Sequence, residues 1–414
     1  MKIWLKLLIG MIVGTLFALV TPAREQVAAA LLSASEVVVQ IGGYALFPLV
    51  FTSLAMGVYT LRLDKQAMLV YKQAALYLVI TTAILAFVGL GSVVLFSPRI
   101  PIITISVDAP AVPVLPGTLK QVFPGNLFAV FAGADSLLLP VVVLAVILGA
   151  NLTFDRVITR PIVQLADSLS RTFYHLNSLI AELLWIGMIP VTASAVLQIA
   201  LTRNLEIYNE LFLIIVIDCL FVIFAIYPVL LYLIDRDSNP FKVLYGAAAS
   251  ALAGLTTGNQ FLATGLLFKH GKENLGVPRT IGSVVFSLFA VFGRAGTSLI
   301  SSISFYLILN SLLPSADIDV LKVLYVFAFS VLVSFALSSV PGLGAYVSLS
   351  LLSLQFDRFW PTFGIANHYK ILEPVKGALV SLAVMVDAIT AYLVSYVITR
   401  KQGQLAMKEA RDFI

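Results

Sequence analysis

Arg294, Lys376, Glu373, Asp387 and Asp218 are ionisable side chains within apolar stretches of this 414-residue chain. Inside a membrane helix each charge would cost about 2.5–3.5 kcal/mol, so each is a candidate for binding or for carrying charge. Arg294 presents a fixed planar cation that suits an anionic group, and it can equally sit in a structural ion pair with a carboxylate such as Asp387. Lys376 can hold an anion or, if buried, release a proton; the plainer alternative is a pair with Glu373 one turn back. Asp218 reads as a proton relay or as a hydrogen-bonded structural carboxylate.

Two further clusters interrupt apolar segments with small, hydroxyl and helix-breaking residues. One is Leu255-Thr256-Thr257-Gly258-Asn259; the other is Ser338-Ser339-Val340-Pro341-Gly342-Leu343-Gly344. Hydroxyls and an amide beside a helix N-terminus offer an anion a place to bind, with Gly258 allowing close backbone approach, and the same groups also serve as simple caps. His175 sits near the start of a helical stretch, while His270 and His368 are expected in loops; without ligand spacing among them they read as ordinary polar residues.

The elements that position these residues follow from composition. The chain is 60% hydrophobic and 11% charged, with a mean hydropathy of +1.01, where soluble domains carry roughly 25% charged residues. Apolar runs of about 20 residues, enough for a ~30 Å hydrocarbon core, recur from Ile3 to Ile398. Expected spans are Ile3–Thr21, Val37–Tyr59, Ala74–Phe96, Phe128–Leu152, Ser168–Ile199, Leu211–Leu233, Ile281–Leu309 and Ile365–Thr399. The first is read as a retained helix rather than a signal peptide. The lone Cys219 excludes an intrachain disulfide framework or thiolate cluster.

Phe241–Phe268 and Val320–Leu354 are the two interrupted segments, and Gly or Pro breaks at membrane depth persist only where protein or a cavity covers the freed backbone groups. Paired broken segments are a sequence pointer to a transporter's site. Cytoplasmic loops carry the excess of Lys and Arg. If both segments turn back, seventeen of the 26 basic residues fall on the side of the N-terminus and seven opposite, with Arg294 and Lys376 inside spans. A full crossing of the first segment would weaken that bias. The fold expected is therefore an all-α polytopic membrane protein of eight transmembrane helices plus two re-entrant helical hairpins, both termini cytoplasmic. Scattered rather than clustered basic residues argue against a nucleic-acid surface.

Phe47-Pro48-Leu49-Val50-Phe51, Leu139-Pro140 followed by Ile147-Leu148-Gly149, Gly296-Thr297, and Val340-Pro341-Gly342 with Gly344 complete a pattern that resembles the dicarboxylate/amino acid:cation symporter family, the glutamate transporter homologues, over essentially the whole chain. The resemblance implies a homotrimer in which a rigid scaffold (residues 1–73 and 128–206) holds a transport domain (residues 207–414, joined by the third helix of 74–127) that moves like an elevator. The second hairpin would be its outer gate. It further implies substrate contacts from Thr256, Thr257, Gly258, Asn259, Arg294, Thr297, Ser338, Ser339, Val340, Pro341, Gly342, Gly344 and Lys376, and coupling or charge roles for Arg294, Glu373, Lys376 and Asp387. Where the family carries Asn-Met-Asp-Gly-Thr, this chain reads Gly293-Arg294-Ala295-Gly296-Thr297. Leu372, Lys376, Leu379 and Ala383 fall on other polar positions of the family's eighth helix, leaving Asp387 the one retained candidate sodium ligand.

The expectation is a secondary active transporter of a small organic anion or amino acid, sodium-independent or proton-coupled because the classical sodium sites are largely missing, lodged in a bacterial or archaeal inner membrane and needing no cofactor. An anion channel lined by Arg294 and Lys376 and a non-transporting sensor remain alternatives. An intramembrane enzyme lacks a nucleophile, metal or paired-aspartate signature.

Overall fold

The computed structural model describes residues 1–21, 25–101, 122–132, 137–202, 204–314, 318–336 and 344–414. Among these, helix is the only regular structure. The long helices are α1 (Ile3–Val20), α2 (Glu25–Leu63), α3 (Ala67–Phe96), α4 (Leu138–Asn151) and α5 (Arg156–Leu201). The helical segment α6 covers Leu205–Ile234 with a π-helical turn at Val222–Ile226. Next come α7 (Pro240–Gly246), α8 (Ala248–Thr257), α9 (Gln260–Glu273), α10 (Arg279–Phe292), α11 (Ala295–Leu312), α12 (Val320–Ala336), α13 (Gly344–Phe359) and α14 (Lys376–Lys401).

Among the described residues, seven helical segments are long and apolar enough to cross a membrane, and the chain is an integral membrane protein. Exposed Ile9, Ile12, Val13, Leu16 and Phe17 form one stripe of α1, as a lipid-facing helix requires. The α10–α11 and α14 segments are 89% and 72% buried in their apolar windows, against 28–44% for the other five. They are therefore the centre of the molecule, and the remaining helices surround them. α2 packs on α4 and α5, and α1 on α5, whereas α3 packs chiefly on α11.

Several boundaries differ from the sequence expectation because hydropathy marks the apolar middle of a helix, not its ends. α2 begins at Glu25 rather than Val37. α5 begins at Arg156 rather than Ser168, where the Asp155 carboxylate caps the amides of Val157 and Ile158. The single span expected over Phe128–Leu152 is instead a turn at Ala129–Ala132 and a helix starting at Leu138, preceded by extended Leu137. Before α14, His368–Val375 forms a 3₁₀ stretch containing Pro374, which lacks the N–H an α-helix interior needs. His270 is not in a loop: α9 runs on to Glu273, and the ring is 1% exposed with Nδ1 against the Leu266 carbonyl.

The chain reverses at Gly258. Along α14, Gly246 lies against Tyr392, Gly254 against Val384 and Gly258 against Ser381, so α7 and α8 run antiparallel to it. The chain then returns until Asn274 Nδ2 donates to the Gly246 carbonyl at 3.4 Å. At about 1.5 Å per residue, α8 and α9 are ~15 and ~21 Å long. The start of α12 lies near the end of α13, with the Lys322 ammonium 5.8 Å from the Trp360 ring centre.

A polar ladder fastens α9 and its surroundings to α5. Asn177 Nδ2 donates to the Gly265 carbonyl at 2.8 Å, Lys269 Nζ to Glu182 Oε1 at 2.7 Å, and Tyr174 Oη to Glu273 Oε1 at 3.3 Å. Arg279 pairs with Asp167.

Asp235, just beyond α6, is buried and pairs with Arg400 at 3.1 Å. Burial alone would raise its pKa. Hydrogen bonds from Tyr396, Ser238 and the Asp237 amide, with the Arg400 charge, hold it below the ordinary carboxylate value instead. A lowered folded pKa contributes stability above the unfolded value of about 3.9 that is lost as pH falls through the folded value. Thermal unfolding of the solubilised protein is expected to lose stability below about pH 4 with a slope that Asp235→Asn reduces. An unchanged slope in the variant would show that the pairing contributes nothing.

Candidate functional site

The central helix pair breaks where the sequence places an arginine between small residues. Gly293 (φ −77°, ψ 80°) and Arg294 (φ −117°, ψ 37°) leave the helical region, and α11 restarts at Ala295. The freed amide of Gly296 donates to Asp387 Oδ1 at 2.7 Å, and Thr297 Oγ1 to Asp387 Oδ2 at 3.3 Å. A carboxylate on the first turn of a helix meets both the unpaired N–H groups and the positive end of its dipole. The contact depends on Gly296, where a Cβ would lie 2.3 Å from the Ala383 carbonyl of α14.

Arg294 itself is 3% exposed, and its Nε has no hydrogen-bond partner. Nη1 lies 3.6 Å from where a Cβ on Gly344 would stand, so the guanidinium is directed at the first residue of α13, with Thr297 Oγ1 beside it. Asp387 acts on it electrostatically. Arg294, Thr297, Gly344 and Asp387, distant in sequence, are thus one constellation. Ser338, Ser339, Val340, Pro341 and Gly342 lie outside the described residues.

The tip of the α8–α9 reversal faces a different space. Thr256, Thr257 and Gly258 line a cavity of about 730 Å³ together with residues of α5, the start of α6 and the start of α14, among them Thr192, Gln198, Asn209 and Ser381. None of its described lining residues is charged. The tip also satisfies itself: Thr256 and Thr257 donate back to the carbonyls of Leu252 and Ala253. Asn259 Oδ1 caps the amides of Phe261 and Leu262. The amides of Phe261 and Leu262 are therefore taken, and the threonine oxygens retain lone pairs for accepting.

Gly258 has φ +57°, and a Cβ there would meet Ser381 Oγ at 3.0 Å. Left-handed backbone costs a residue with a Cβ roughly 1–2 kcal/mol. Gly258→Val is accordingly expected to lower the unfolding free energy by at least about that much, whereas Gly258→Asn, which tolerates this conformation better, should lose less; equal losses would remove the conformational explanation.

Lys376, the first residue of α14, is paired with Glu373 at 3.2 Å, and its side chain is 41% exposed. It stands 5.9 Å from the Tyr346 ring centre, so the pairing with Glu373 is the arrangement the structure adopts. Asp218 is buried in α6 and accepts from Ser92 of α3. His175 is exposed on α5, and His368 opens the 3₁₀ stretch.

Two features escaped the sequence reading. Ser381 faces the Gly258 tip, and Gln260 is fully buried with neither amide atom hydrogen-bonded. Each is a polar residue in an apolar run, which is a weak signal. Among the described residues no group of three His, Cys, Asp or Glu side chains could hold a metal ion.

No curated protein matches the chain. A family model described as the sodium:dicarboxylate symporter family matches residues 3–397, nearly the whole length. With its apolar spans, its broken central helix and a match of that extent, this chain belongs to the sodium:dicarboxylate symporter family of membrane transporters.

Proposed function

We propose that the protein is a secondary active transporter of a small organic anion or amino acid that works without sodium. The observation carrying this reading is Arg294: a fully buried guanidinium with an unpartnered Nε at the break between α10 and α11. At close range in a low-dielectric site it repels a sodium ion and attracts a carboxylate. Both Asp387 oxygens already accept protein hydrogen bonds, and Gly293 and Ala295 have only carbonyls to offer a cation. The solute is placed at the α10–α11 break, apart from the uncharged cavity beneath the Gly258 tip, whose described lining does not include Arg294. Arg294 then supplies the fixed charge for the solute's anionic group.

In this reading eight helices cross the membrane, and the α8–α9 and α12–α13 pairs are re-entrant hairpins entering from opposite faces. The reversal at Gly258, and the mutual proximity of each pair's ends, support it. α1, α2, α4 and α5 form the scaffold, while α3, α6 and everything after residue 240 travel with the substrate in an elevator movement. The packing of α3 on α11, away from the α2–α4–α5 group, supports that division. The assembly is a homotrimer, with both termini cytoplasmic. Glu373 and Lys376, paired and partly exposed, are the groups available to carry a proton.

The test is uptake into proteoliposomes of dicarboxylates and of acidic and neutral amino acids, with sodium replaced by choline. Uptake that saturates, concentrates its substrate and is unchanged by the replacement is expected. Uptake that collapses in choline would overturn sodium independence, and flux without saturation would favour a channel.

A further inference from the structure

A second cavity, of about 500 Å³, opens where the two ends of the chain meet, and among the charged side chains of its wall cations outnumber carboxylates. Lys2 and Lys6 of the α1 end, Lys269 of α9 and Arg411 line it, with Glu182 of α5 and Glu273 as the acidic side chains. Those carboxylates are already engaged, Glu182 with Lys269 at 2.7 Å and Glu273 with Lys408 at 3.7 Å. Lys2 is held by neutral oxygens, Tyr245 Oη at 3.1 Å and the Ala410 carbonyl at 2.8 Å. Arg411 pairs with the exposed Asp412 at 3.9 Å. Lys6 is near enough to Glu182 to act on its charge, but Glu182 is shared with Lys269. The lining therefore carries four basic side chains against two acidic ones, and the termini at Met1 and Ile414 add one charge of each sign.

What surrounds the cavity is hydrocarbon surface. On α5 the exposed Leu179, Leu183 and Ile186 follow one face within about a turn of Glu182, and on α1 the exposed Ile9, Ile12 and Val13 begin one turn beyond Lys6. A cationic recess continuous with two exposed apolar stripes is complementary to a molecule with an anionic head and long acyl chains. Basic pockets between membrane helices hold acidic phospholipid headgroups by this combination. We propose that the cleft between α1, α5 and α9 is a binding site for an anionic phospholipid, with the headgroup phosphate on Lys2, Lys6 and Arg411 and the acyl chains along α1 and α5. The site is separate from the Arg294–Asp387 constellation and does not depend on what the protein transports.

The experiment places the full-length protein in phosphatidylcholine nanodiscs containing a minority of phosphatidylglycerol and counts retained lipids by native mass spectrometry. Preferential retention of phosphatidylglycerol is expected, falling roughly fivefold for each cation removed in Lys2→Gln, Lys6→Gln and Arg411→Gln. Thermal unfolding in phosphatidylcholine alone checks that the variants fold, and Arg411→Gln, at an exposed side chain, gives an arm independent of α1. Lys65→Gln, an exposed cation in the α2–α3 turn, should change nothing. Equal retention of the two lipids, or an equal loss in Lys65→Gln, would overturn the site. Displacement of the lipid by millimolar inorganic phosphate would assign the pocket to a soluble anion and overturn the lipid assignment.

Discussion

Replacing Asp387 by leucine is expected to destabilise the protein by about 3–5 kcal/mol, the cost of leaving a buried charge without its partner. The residue is fully buried, accepts from the Gly296 amide and the Thr297 hydroxyl, and provides the negative charge acting on Arg294. Leucine removes all three interactions at once. Asp387→Asn, which keeps an acceptor for the Gly296 amide, should lose less. The deciding measurement is a double-mutant cycle with Arg294→Met, followed by thermal or denaturant unfolding in a fixed lipid environment. Removing the cation as well should recover part of the loss, with a coupling of about 0.5–3 kcal/mol. Strictly additive losses would show that the two side chains do not sense each other.

The second large effect concerns ligand affinity. Arg294→Met should weaken binding of an anionic ligand by roughly 2–5 kcal/mol, the range for truncating one partner of a buried charge pair. Arg294→Lys, which keeps the charge but loses the planar fork, should fall between wild type and methionine. Affinity is measured with whichever carboxylate-bearing solute most raises the thermal midpoint, because a ligand bound only by the folded state stabilises it. A neutral amide analogue of that solute should be nearly indifferent to the substitution. Wild-type affinity for the anion in Arg294→Met would place the anionic group elsewhere and remove Arg294 from the site.

The sequence made the broken segments legible because Gly, Pro and hydroxyl residues in an apolar run conflict with a continuous membrane helix. That conflict located Gly258 at the turn, whereas Arg294 was singled out by its charge and the break beside it lies inside the single span expected over Ile281–Leu309. Charge in apolar surroundings likewise singled out Asp387 and Asp218, both of which are buried. What was not legible depended on partners far away in the chain. Nothing near residue 296 announces that its amide meets residue 387, and nothing near Ser381 announces Gly258. His270 was misplaced because hydropathy falls at Lys269, whereas the helix persists because Glu182, 87 positions earlier, neutralises that lysine. The polar first turns of α5 escaped for the same reason, since a capped helix outruns its apolar stretch.

The α5 ladder bears on the timing of the elevator movement proposed above. Its rungs at Tyr174, Asn177 and Glu182 all reach α9 within Gly265–Glu273, so one displacement of α9 disturbs all three. A slide of one helical turn, about 5.4 Å, breaks them together rather than in sequence. Under the elevator movement proposed above, in which α9 passes α5, the docked arrangement would be a discrete stop that is left in one event. Ionic strength then reaches turnover through the waiting time at this stop: the Lys269–Glu182 rung, whose carboxylate is half exposed, weakens as salt rises, and the interval before each departure shortens.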